Sequence, residues 1–592
     1  MVIKSGAAIS PAKHSAAILL ACLLWLPIAV AGERPNIVLI VADDIGYSDF
    51  GAFGGEIETP NIDALAEAGV RFSNFHAASS CAPTRAMLLT GVDNHRAGVG
   101  SMRELMPLSH RGEPGYDGVL NDSVETIASA MQSVGYRTVV AGKWHLGIEE
   151  DNLPPARGFD SSLIQADSGS DNFEMRPYLP MYPEARWFEN GSRMASLPDD
   201  FYSSRYFVDW TIAFLEETRA EGKPFFAYLA FQANHLPLQA PAEFIDAYRG
   251  RYSEGWAAVR EARIAKIREQ GLFDTPFTTA AGPTQQEWDE LTAQQQYFEA
   301  RRMQAYAGMA TAMDYEIGRL MTYLRDSGQY RNTVFVLFSD NGATATEPYD
   351  NAFGRRWLES NYHRETETLG EKGSWVAAGA RWGVVSNTPL DGTKFSSGEG
   401  GVRVPLIVAG LPSVAPGAVN RDFTYITDLA PTLLEVAGVA SPHVVPGAQT
   451  MTGRSLVATL TGGSSPPYGS DESLGYEFSG NSALYRGDYK LVRNQPPAGD
   501  RQWRLYNIVE DPGETVDLRE RMPDLYQGML AEYDAYASEN GVLPMPENYS
   551  LAKQVMINSI VFSLLPKYLP YVGLFLVLLL AVYYYRRSRR QT

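Results

Sequence analysis

The stretch Asn36–Ala42 reads NIVLIVA and runs directly into Asp43 and Asp44. Its apolar side chains are continuous rather than alternating with polar ones, which is typical of a strand buried on both faces of a parallel sheet. Three later runs share this pattern: Thr138–Ala141 (TVVA), Phe225–Phe231 (FFAYLAF) and Thr333–Phe338 (TVFVLF). Four such strands predict a large, mostly parallel or mixed β-sheet.

Helical patterns lie between these strands, at Asn61–Gly69, Ser123–Val134 and Phe207–Thr218. Strands that alternate with helices indicate an α/β fold whose sheet is flanked by helices. We expect this main domain over residues 33–455, with a polar surface insertion at about 252–300. A smaller C-terminal α+β subdomain is expected over 456–545, from three short strand-like runs and a helical one: Ser473–Phe478, Ser482–Leu484, Tyr489–Arg493 and Pro523–Glu539.

Each predicted strand leads into residues of the kinds that bind metals or transfer protons. They are, in strand order, Asp43 and Asp44, then Lys143 and His145, then Asn234 and His235, then Asp340 and Asn341. Ligands of open α/β sheets bind at the carboxyl ends of the strands. The sequence therefore predicts one site at this edge, built from all four strands.

Four residues of this edge, Asp43, Asp44, Asp340 and Asn341, offer only oxygen ligands. Such ligands suit a hard cation such as Ca²⁺ or Mg²⁺, whereas zinc recruits more nitrogen or sulfur. Three carboxylates side by side would also repel one another strongly without a cation. We therefore expect a Ca²⁺ or Mg²⁺ site.

The composition of the chain excludes some classes of function. Of its 592 residues 45% are hydrophobic and 20% charged, which is typical of a globular protein. The formal net charge of −19 argues against nucleic-acid binding, because phosphate backbones require a basic surface. A pocket for an anionic substrate would have to gather its positive charge locally.

The N-terminus has the pattern of a secretory signal. Lys4 and Lys13 precede the apolar run Ser15–Ala31, which ends in small residues, so a cleaved signal peptide is expected over residues 1–31. An uncleaved anchor and a lipoprotein signal at Cys22 are the alternatives.

The C-terminus has the pattern of a membrane anchor. Tyr568–Tyr585 lacks charge and is followed by arginines, which predicts a transmembrane helix over 568–585. A juxtamembrane segment would precede it over 546–567, and a basic cytoplasmic tail would follow over 586–592. The main domain would then lie outside the cytoplasm, on the periplasmic or extracellular side. The alternative is a buried C-terminal core helix.

The sequence contains two cysteines, and Cys22 would leave with the signal. Cys81 then has no partner for an internal disulfide, so it is either buried and inert or functional. It opens the run CAPTRAMLLTG, in which Pro83 suits the first turn of a helix, where exposed amides favour anions. An activated thiolate paired with a histidine, as in cysteine hydrolases, is one interpretation.

The same run, residues 81–91, closely resembles the signature of the sulfatase family, Cys-x-Pro-x-Arg ending in Leu-Thr-Gly, whose cysteine is oxidised to formylglycine. Four further runs are similar to family motifs: GKWHLG (142–147), NHLPLQAP (234–241), SDNGA (339–343) and KFSSGEGGVRVP (394–405). The resemblance covers roughly residues 35–518, is nearest the bacterial arylsulfatases, and implies the alkaline-phosphatase-like fold. Thr84 replaces the commoner serine, which leaves open whether a formylglycine-generating enzyme or an anaerobic sulfatase-maturing enzyme modifies Cys81.

The resemblance implies a role for each residue of the site. The metal ligands would be Asp43, Asp44, Asp340, Asn341 and the modified Cys81, around an ion that is usually Ca²⁺ in this branch. Arg85 would orient the hydrated aldehyde, and Lys143 and Lys394 would bind sulfate oxygens. His235 would contact the bridging ester oxygen or the sulfate, and His145 would serve the aldehyde hydrate. Lys372, in GEKGSW, is the alternative to Lys394.

Elementary chemistry agrees with these roles. An aldehyde hydrate has two hydroxyl groups on one carbon, of which one, activated by the metal, can attack sulfur and release the alcohol or phenol. The other, deprotonated by His145, can collapse to the aldehyde and expel sulfate. We therefore expect a sulfuric ester hydrolase of the arylsulfatase type that acts on small-molecule sulfate esters. Two alternatives stay open: a phosphonate monoester hydrolase or phosphodiesterase of the same fold, and an inactive membrane-anchored binding protein on a sulfatase scaffold.

Overall fold

The structure is a computed structural model that describes residues 1–2, 34–274, 276–412, 414–439, 447–463 and 465–588. The predicted signal peptide, with Cys22, lies outside the described residues apart from its first two. The chain from Pro35 onward forms one unit by its internal contacts. The predicted domain boundary near residue 455 stays a prediction.

The strands of the described residues carry the labels that follow. They are β1 (Asn36–Ala42), β2 (Val70–Phe72), β3 (Phe75–His76), β4 (Arg137–Lys143), β5 (Ser161–Gln165), β6 (Trp187–Glu189), β7 (Ser192–Arg193), β8 (Phe225–Ala230), β9 (Thr333–Ser339), β10 (Leu406–Ala409), β11 (Ala418–Asn420), β12 (Thr424–Tyr425), β13 (Ser473–Phe478), β14 (Asn481–Arg486), β15 (Tyr489–Arg493) and β16 (Arg504–Asn507).

The α-helices are labelled in the same way. They are α1 (Pro60–Ala68), α2 (Cys81–Thr90), α3 (Ile127–Ser133), α4 (Ser203–Thr218), α5 (Ala242–Asp246), α6 (Trp256–Glu269), α7 (Gln285–Asp289), α8 (Ala293–Asp326), α9 (Ala352–Asn361), α10 (Gly379–Ser386), α11 (Glu399–Val402), α12 (Leu429–Val436), α13 (Val457–Leu460), α14 (Pro523–Glu539), α15 (Leu551–Asn558) and α16 (Leu565–Ser588). A π-helical segment, Ser559–Leu564, joins the last two.

Ten of the described strands form one sheet, in the order β11-β2-β10-β9-β1-β8-β4-β5-β6-β7. Its centre is parallel, since β1 pairs in parallel with β8 and β9, and β4 pairs in parallel with β8 and β5. The flanking strands β10 and β6 are antiparallel to their neighbours β9 and β5. The predicted large mixed sheet of an α/β fold is confirmed.

Continuous apolar runs form these strands because both faces of the sheet are covered. Every residue of β1 is buried. Val38 and Ile40 pack into one hydrophobic cluster with helix α8, whereas Ile37 and Leu39 pack into a second with helix α2. Successive side chains of β1 point to opposite faces of the sheet, so the strand contributes to two separate hydrophobic cores.

The segment expected to be a surface insertion is mostly exposed or half-buried, and it also contributes to the core. Helix α6 buries Trp256 and Ile267, and Trp256 packs edge-on against Trp288. Arg263 of the same helix is buried as well, with its Nη1 2.7 Å from Oδ1 of Asp49. The polar composition of the segment reflects this buried ion pair as well as solvent exposure.

The C-terminal region contains a second sheet, in which β13, β14, β15 and β16 pair in that order and antiparallel. Helix α14 packs on it through Met529 and Tyr533, which cluster with Leu484, Leu491 and Leu505 of the strands. These elements agree with the short runs and the terminal helix expected from the sequence.

The predicted transmembrane helix is wrong. Among the described residues, no helix combines the length and the apolar character that crossing a membrane demands. Helix α16, which covers the expected span 568–585, contains Pro570, and its apolar run between Tyr571 and Tyr583 has eleven residues. That run is about 16 Å long at 1.5 Å per residue, against roughly 30 Å of hydrocarbon. The anchoring by a C-terminal helix, and the anchored localisation derived from it, are contradicted by the same finding.

Candidate active site

Cys81 is the first residue of helix α2 and is fully buried. Thr84 fixes the start of this helix: its hydroxyl accepts a hydrogen bond from the Ala78 amide at 3.0 Å and donates one to the Asp340 carbonyl at 2.6 Å. The threonine that departs from the commoner serine therefore keeps a hydroxyl in place. It ties Cys81 to the end of strand β9.

Arg85 lies one helical turn after Cys81 and joins two strand ends. Its Nη2 and Nε lie 2.7 and 3.0 Å from Oδ2 of Asp340, and its Nη1 donates to the Lys143 carbonyl at 2.8 Å. Both charged side chains of the pair are completely buried. Arg85 thus links helix α2 with the carboxyl ends of β9 and β4.

The acidic residues meet at the carboxyl ends of β1 and β9. Single ligand atoms of Asp43, Cys81 and Asp340 lie within 4.8 Å of one another, and so do those of Asp43, Asp44 and His235. Asn341 donates from Nδ2 to Oδ1 of Asp44 at 2.7 Å. The predicted metal ligands therefore come together.

Three oxygens of this group fit a cation. Asp43 Oδ1, Asp44 Oδ2 and Asn341 Oδ1 are buried and have no hydrogen-bond partner among the described residues. Burial and the charge of Asp43 raise the pKa of Asp340, an effect that Arg85 opposes. An all-oxygen set with unpartnered buried acceptors suits Ca²⁺ or Mg²⁺ and does not distinguish between them.

Two lysines reach the same group from distant segments. Lys143 Nζ lies 2.6 Å from Oδ2 of Asp43, and Lys394 Nζ lies 2.6 Å from Oδ1 of Asp44 and 3.8 Å from Sγ of Cys81. The loop that carries Lys394 is held by backbone hydrogen bonds, such as that from Phe395 to the Ser79 carbonyl at 2.7 Å.

Lys372, the alternative lysine, lies elsewhere. Half of its side chain is exposed, and its Nζ lies 3.7 Å from Oε1 of Glu174. It pairs at the surface, whereas Lys394 is buried beside Cys81.

The two histidines have opposite electrostatic surroundings. Burial and the charges of Lys143 and Lys394 lower the pKa of His235, whose Nδ1 donates to the Leu236 carbonyl at 2.8 Å. Burial also lowers the pKa of His145, but the Cys81 thiolate and Glu104 outweigh it and raise that pKa to about 9. The surroundings therefore favour the uncharged form of His235 and the protonated form of His145.

The positively charged side chains of the site also act on Cys81. Burial raises the pKa of the Cys81 thiol, but Lys143, Lys394 and His145 outweigh burial and lower the pKa to about 7. Position 81 therefore favours a negative charge, in a chain whose net charge is −19. The positive potential that an anionic substrate requires is gathered here.

The structure adds residues to the site that the sequence motifs did not identify. Tyr306, in the middle of α8, donates its hydroxyl hydrogen to Oδ2 of Asp49 at 2.6 Å, and the same oxygen lies 3.1 Å from the Asp44 carbonyl. Glu104, in the loop after α2, lies with Oε2 3.8 Å from Nε2 of His145. An aromatic residue inside a long helix and a single glutamate in a loop carry no recognisable signal in one sequence.

Comparison with known proteins agrees with the family that the motifs indicated. Residues 35–439 match the sulfatase family. An uncharacterized sulfatase of Schizosaccharomyces pombe is 36% identical over 532 residues, which are 87% of this chain and 96% of the relative. An arylsulfatase of Klebsiella aerogenes is 38% identical over 416 residues, 69% of this chain and 88% of the relative.

Solved structures show the same fold. The crystal structure of Ps i-CgsB in complex with k-i-k-neocarrahexaose has a TM-score of 0.62 at 23% identity, covering 90% of this chain and 98% of that chain. A phosphonate monoester hydrolase of Agrobacterium radiobacter has a TM-score of 0.52 at 19% identity, covering 86% of this chain and 96% of that chain. The chain therefore belongs to the sulfatase family and is a sulfuric ester hydrolase.

Proposed function

We propose that this enzyme hydrolyses aryl-type sulfate monoesters by means of a formylglycine made from Cys81 and a Ca²⁺ ion bound by Asp43, Asp44, Asp340 and Asn341. The observation that carries the proposal is the position of Cys81. It begins a helix, and its Sγ is 3.8 Å from Lys394 Nζ. Its Sγ also lies within 4.8 Å of a carboxylate oxygen of Asp43 and of Asp340, close enough for the three residues to bind one ion.

When present, the cation and the aldehyde hydrate supply an activated hydroxyl for attack on sulfur and a second hydroxyl through which sulfate leaves. Lys143 and Lys394 bind the sulfate oxygens and stabilise the negative charge that develops on them, usually the largest catalytic contribution. Arg85, held by Asp340, orients the modified side chain at position 81.

Proton transfer falls to the histidines and Lys394. His235, whose pKa is lowered by burial and by the two lysines, contacts the bridging oxygen or the sulfate, and Lys394 protonates a poor leaving group. His145 takes the proton of the second hydroxyl. The thiolate of Cys81 is the largest contribution that raises the pKa of His145, so an uncharged aldehyde hydrate there lowers that pKa toward the range in which the ring accepts a proton.

Mass spectrometry of the peptide that contains Cys81 tests the modification directly. The purified enzyme should yield a peptide in which sulfur and two hydrogens are lost and one oxygen is gained. Cys81→Ala should fold, with an unchanged melting temperature within experimental error, and lose nearly all turnover. Substantial turnover by verified Cys81→Ala protein would contradict the proposal.

The nature of the ester is tested by assaying an aryl sulfate beside an aryl phosphonate ester. The two sulfatase relatives, at 36% and 38% identity, favour sulfate. Preference for the phosphonate would assign the enzyme to the alternative that shares its fold. Elemental analysis should find about one Ca²⁺ or Mg²⁺ per chain, and stoichiometric zinc with zinc-dependent activity would contradict the metal assignment.

A further inference from the structure

The loop of residues 101–116 brings a carboxylate to His145. Glu104 accepts a hydrogen bond on Oε1 from the Tyr182 hydroxyl at 2.9 Å. Its Oε2 lies 3.8 Å from Nε2 of His145 and has no hydrogen-bond partner among the described residues. The ring and the carboxylate are thus within ion-pair distance, and Tyr182 fixes the direction in which the carboxylate points.

The other ring nitrogen of His145, Nδ1, is not held by a comparable contact among the described residues. This atom is buried, and the backbone of His145 adopts a left-handed φ of 57° after strand β4. The orientation of the ring therefore depends on Glu104 and on the group at position 81.

The C-terminal helix α15 holds the loop that carries Glu104. Asn558, the last residue of this helix, donates hydrogen bonds from its Nδ2 to three backbone carbonyls within one short stretch of the loop. The acceptors are the carbonyls of Arg103, Glu104 and Met106, at 3.2, 2.9 and 3.0 Å. These peptide groups flank the Cα atom of Glu104, so their hydrogen bonds determine the backbone position from which the Glu104 side chain extends.

The orientation of the Asn558 amide is itself fixed. Gln554, one turn earlier, donates from Nε2 to Oδ1 of Asn558 at 3.0 Å, which leaves the Asn558 NH₂ group facing the loop. Both side chains are buried, at 8% and 4% exposure. A buried amide whose oxygen and NH₂ group are both hydrogen-bonded favours one arrangement, because an unpaired buried donor would cost about 1–3 kcal/mol.

Neighbouring residues of the C-terminal segment reinforce this contact. The Tyr549 hydroxyl donates to the Leu105 carbonyl at 3.1 Å, and His110 Nε2 lies 3.2 Å from the Pro544 carbonyl. The guanidinium of Arg111 lies 3.8 Å from the ring centroid of Phe562. Residues 544–562 therefore contact the loop at several positions along its length.

We propose that Asn558 holds this loop so that Glu104 orients His145, which makes helix α15 a positioning element of the active site. The proposal rests on the role of His145 proposed above. Glu104 and Asn558 are positioning residues, since Glu104 acts through His145 and Asn558 acts through the loop that carries Glu104.

A double-mutant cycle tests the path from Asn558 through Glu104. Glu104→Gln removes the charge at nearly constant shape and should lower kcat about 10- to 100-fold, the usual effect of losing an orienting partner. Asn558→Ala should lower kcat about tenfold with KM for a small aryl sulfate little changed. The double variant should match Glu104→Gln alone, because both changes remove the same contact.

Multiplicative effects in the cycle, or unchanged kcat in Asn558→Ala, would overturn the proposal. Asn507→Ala is the matched control: Asn507 accepts from the Val509 and Glu510 amides at 3.1 Å in the C-terminal sheet, and its truncation should leave kcat unchanged. If Asn558→Ala does not fold, Gln554→Leu is the milder variant, since it frees the Asn558 amide without removing it.

A second readout is independent of turnover. In ¹⁵N-histidine-labelled protein, the His145 ring signals should shift in Glu104→Gln and Asn558→Ala and stay unchanged in Asn507→Ala. Amide hydrogen exchange should accelerate in residues 101–116 of Asn558→Ala only. Unmoved His145 signals would refute this proposal even in an active enzyme, whereas a wild-type protein without sulfate ester turnover would refute the proposed function instead.

Discussion

Arg85 Nη2 lies 2.7 Å from Oδ2 of Asp340, and neither side chain is exposed to solvent. This pair joins the helix that begins at Cys81 to the strand that ends in the predicted metal ligands. It therefore serves the stability of the fold and the geometry of the site together.

Asp340→Ala should lower the free energy of unfolding by about 3–5 kcal/mol, because it leaves the buried Arg85 charge without its partner. Turnover should fall strongly as well, with partial recovery at high Ca²⁺. Urea denaturation measures the first effect and steady-state kinetics the second. Asp340→Asn, which keeps an acceptor for Arg85, should lose less stability; equal stability of wild type and Asp340→Ala would contradict the assignment.

Lys394→Ala should slow the hydrolysis of sulfates with poor leaving groups more than that of activated aryl sulfates. The loss of a general acid costs roughly 100- to 10,000-fold where the leaving group needs a proton. The measurement is kcat/KM for a series of phenyl sulfates plotted against the pKa of the phenol. Lys372→Ala, at the exposed lysine, should leave that slope unchanged, and an equal loss for all leaving groups in Lys394→Ala would exclude proton donation.

Gly142→Ala should prevent or severely weaken the pairing of β4 with β8. Gly142 has a φ of 124°, and a Cβ there would lie 1.8 Å from the Ala230 carbonyl oxygen. We expect a loss of more than about 4 kcal/mol in unfolding free energy. Gly135→Ala has a similar positive φ of 95° but open space around it, so it should cost only about 1–2 kcal/mol.

His95 should make stability depend on pH. Its Nε2 lies 2.7 Å from Oε2 of Glu477 and its Nδ1 3.3 Å from Oδ1 of Asp93. Burial lowers the pKa of His95, but these two carboxylates outweigh burial and raise the pKa to about 9. Because the pKa is higher in the folded state, the stabilisation is complete below about pH 6.5 and is lost as the pH rises through about 9.

His95→Gln should therefore reduce the pH dependence of unfolding above pH 6.5. The wild-type protein should lose on the order of 3 kcal/mol more than the variant between pH 6.5 and 9.5. Urea denaturation at a series of pH values checks this. Parallel curves for the two proteins would show that His95 is not charged in the folded state.

The central strands and the edge that carries the site were predictable from sequence. The apolar run Asn36–Ala42 is a strand with those bounds, and Asp43 and Asp44 follow it into the site. The reason is that burial on both faces leaves a local pattern, and parallel topology sends all carboxyl ends to one edge. The same reasoning from local composition failed at 568–585, where an apolar run interrupted by proline and tyrosines suggested a membrane helix.

Only the tertiary structure decided which distant residues complete the site. In the tertiary structure Lys394, and not Lys372, lies beside the acidic residues of the site. Glu104 lies beside His145, and Asn558 contacts the carbonyl of Glu104, 454 residues earlier in the chain. None of these choices has a local signature, because a hydrogen bond or an ion pair between remote segments depends on how the elements pack. A sequence records which side chains are available, and their packing determines which of them meet.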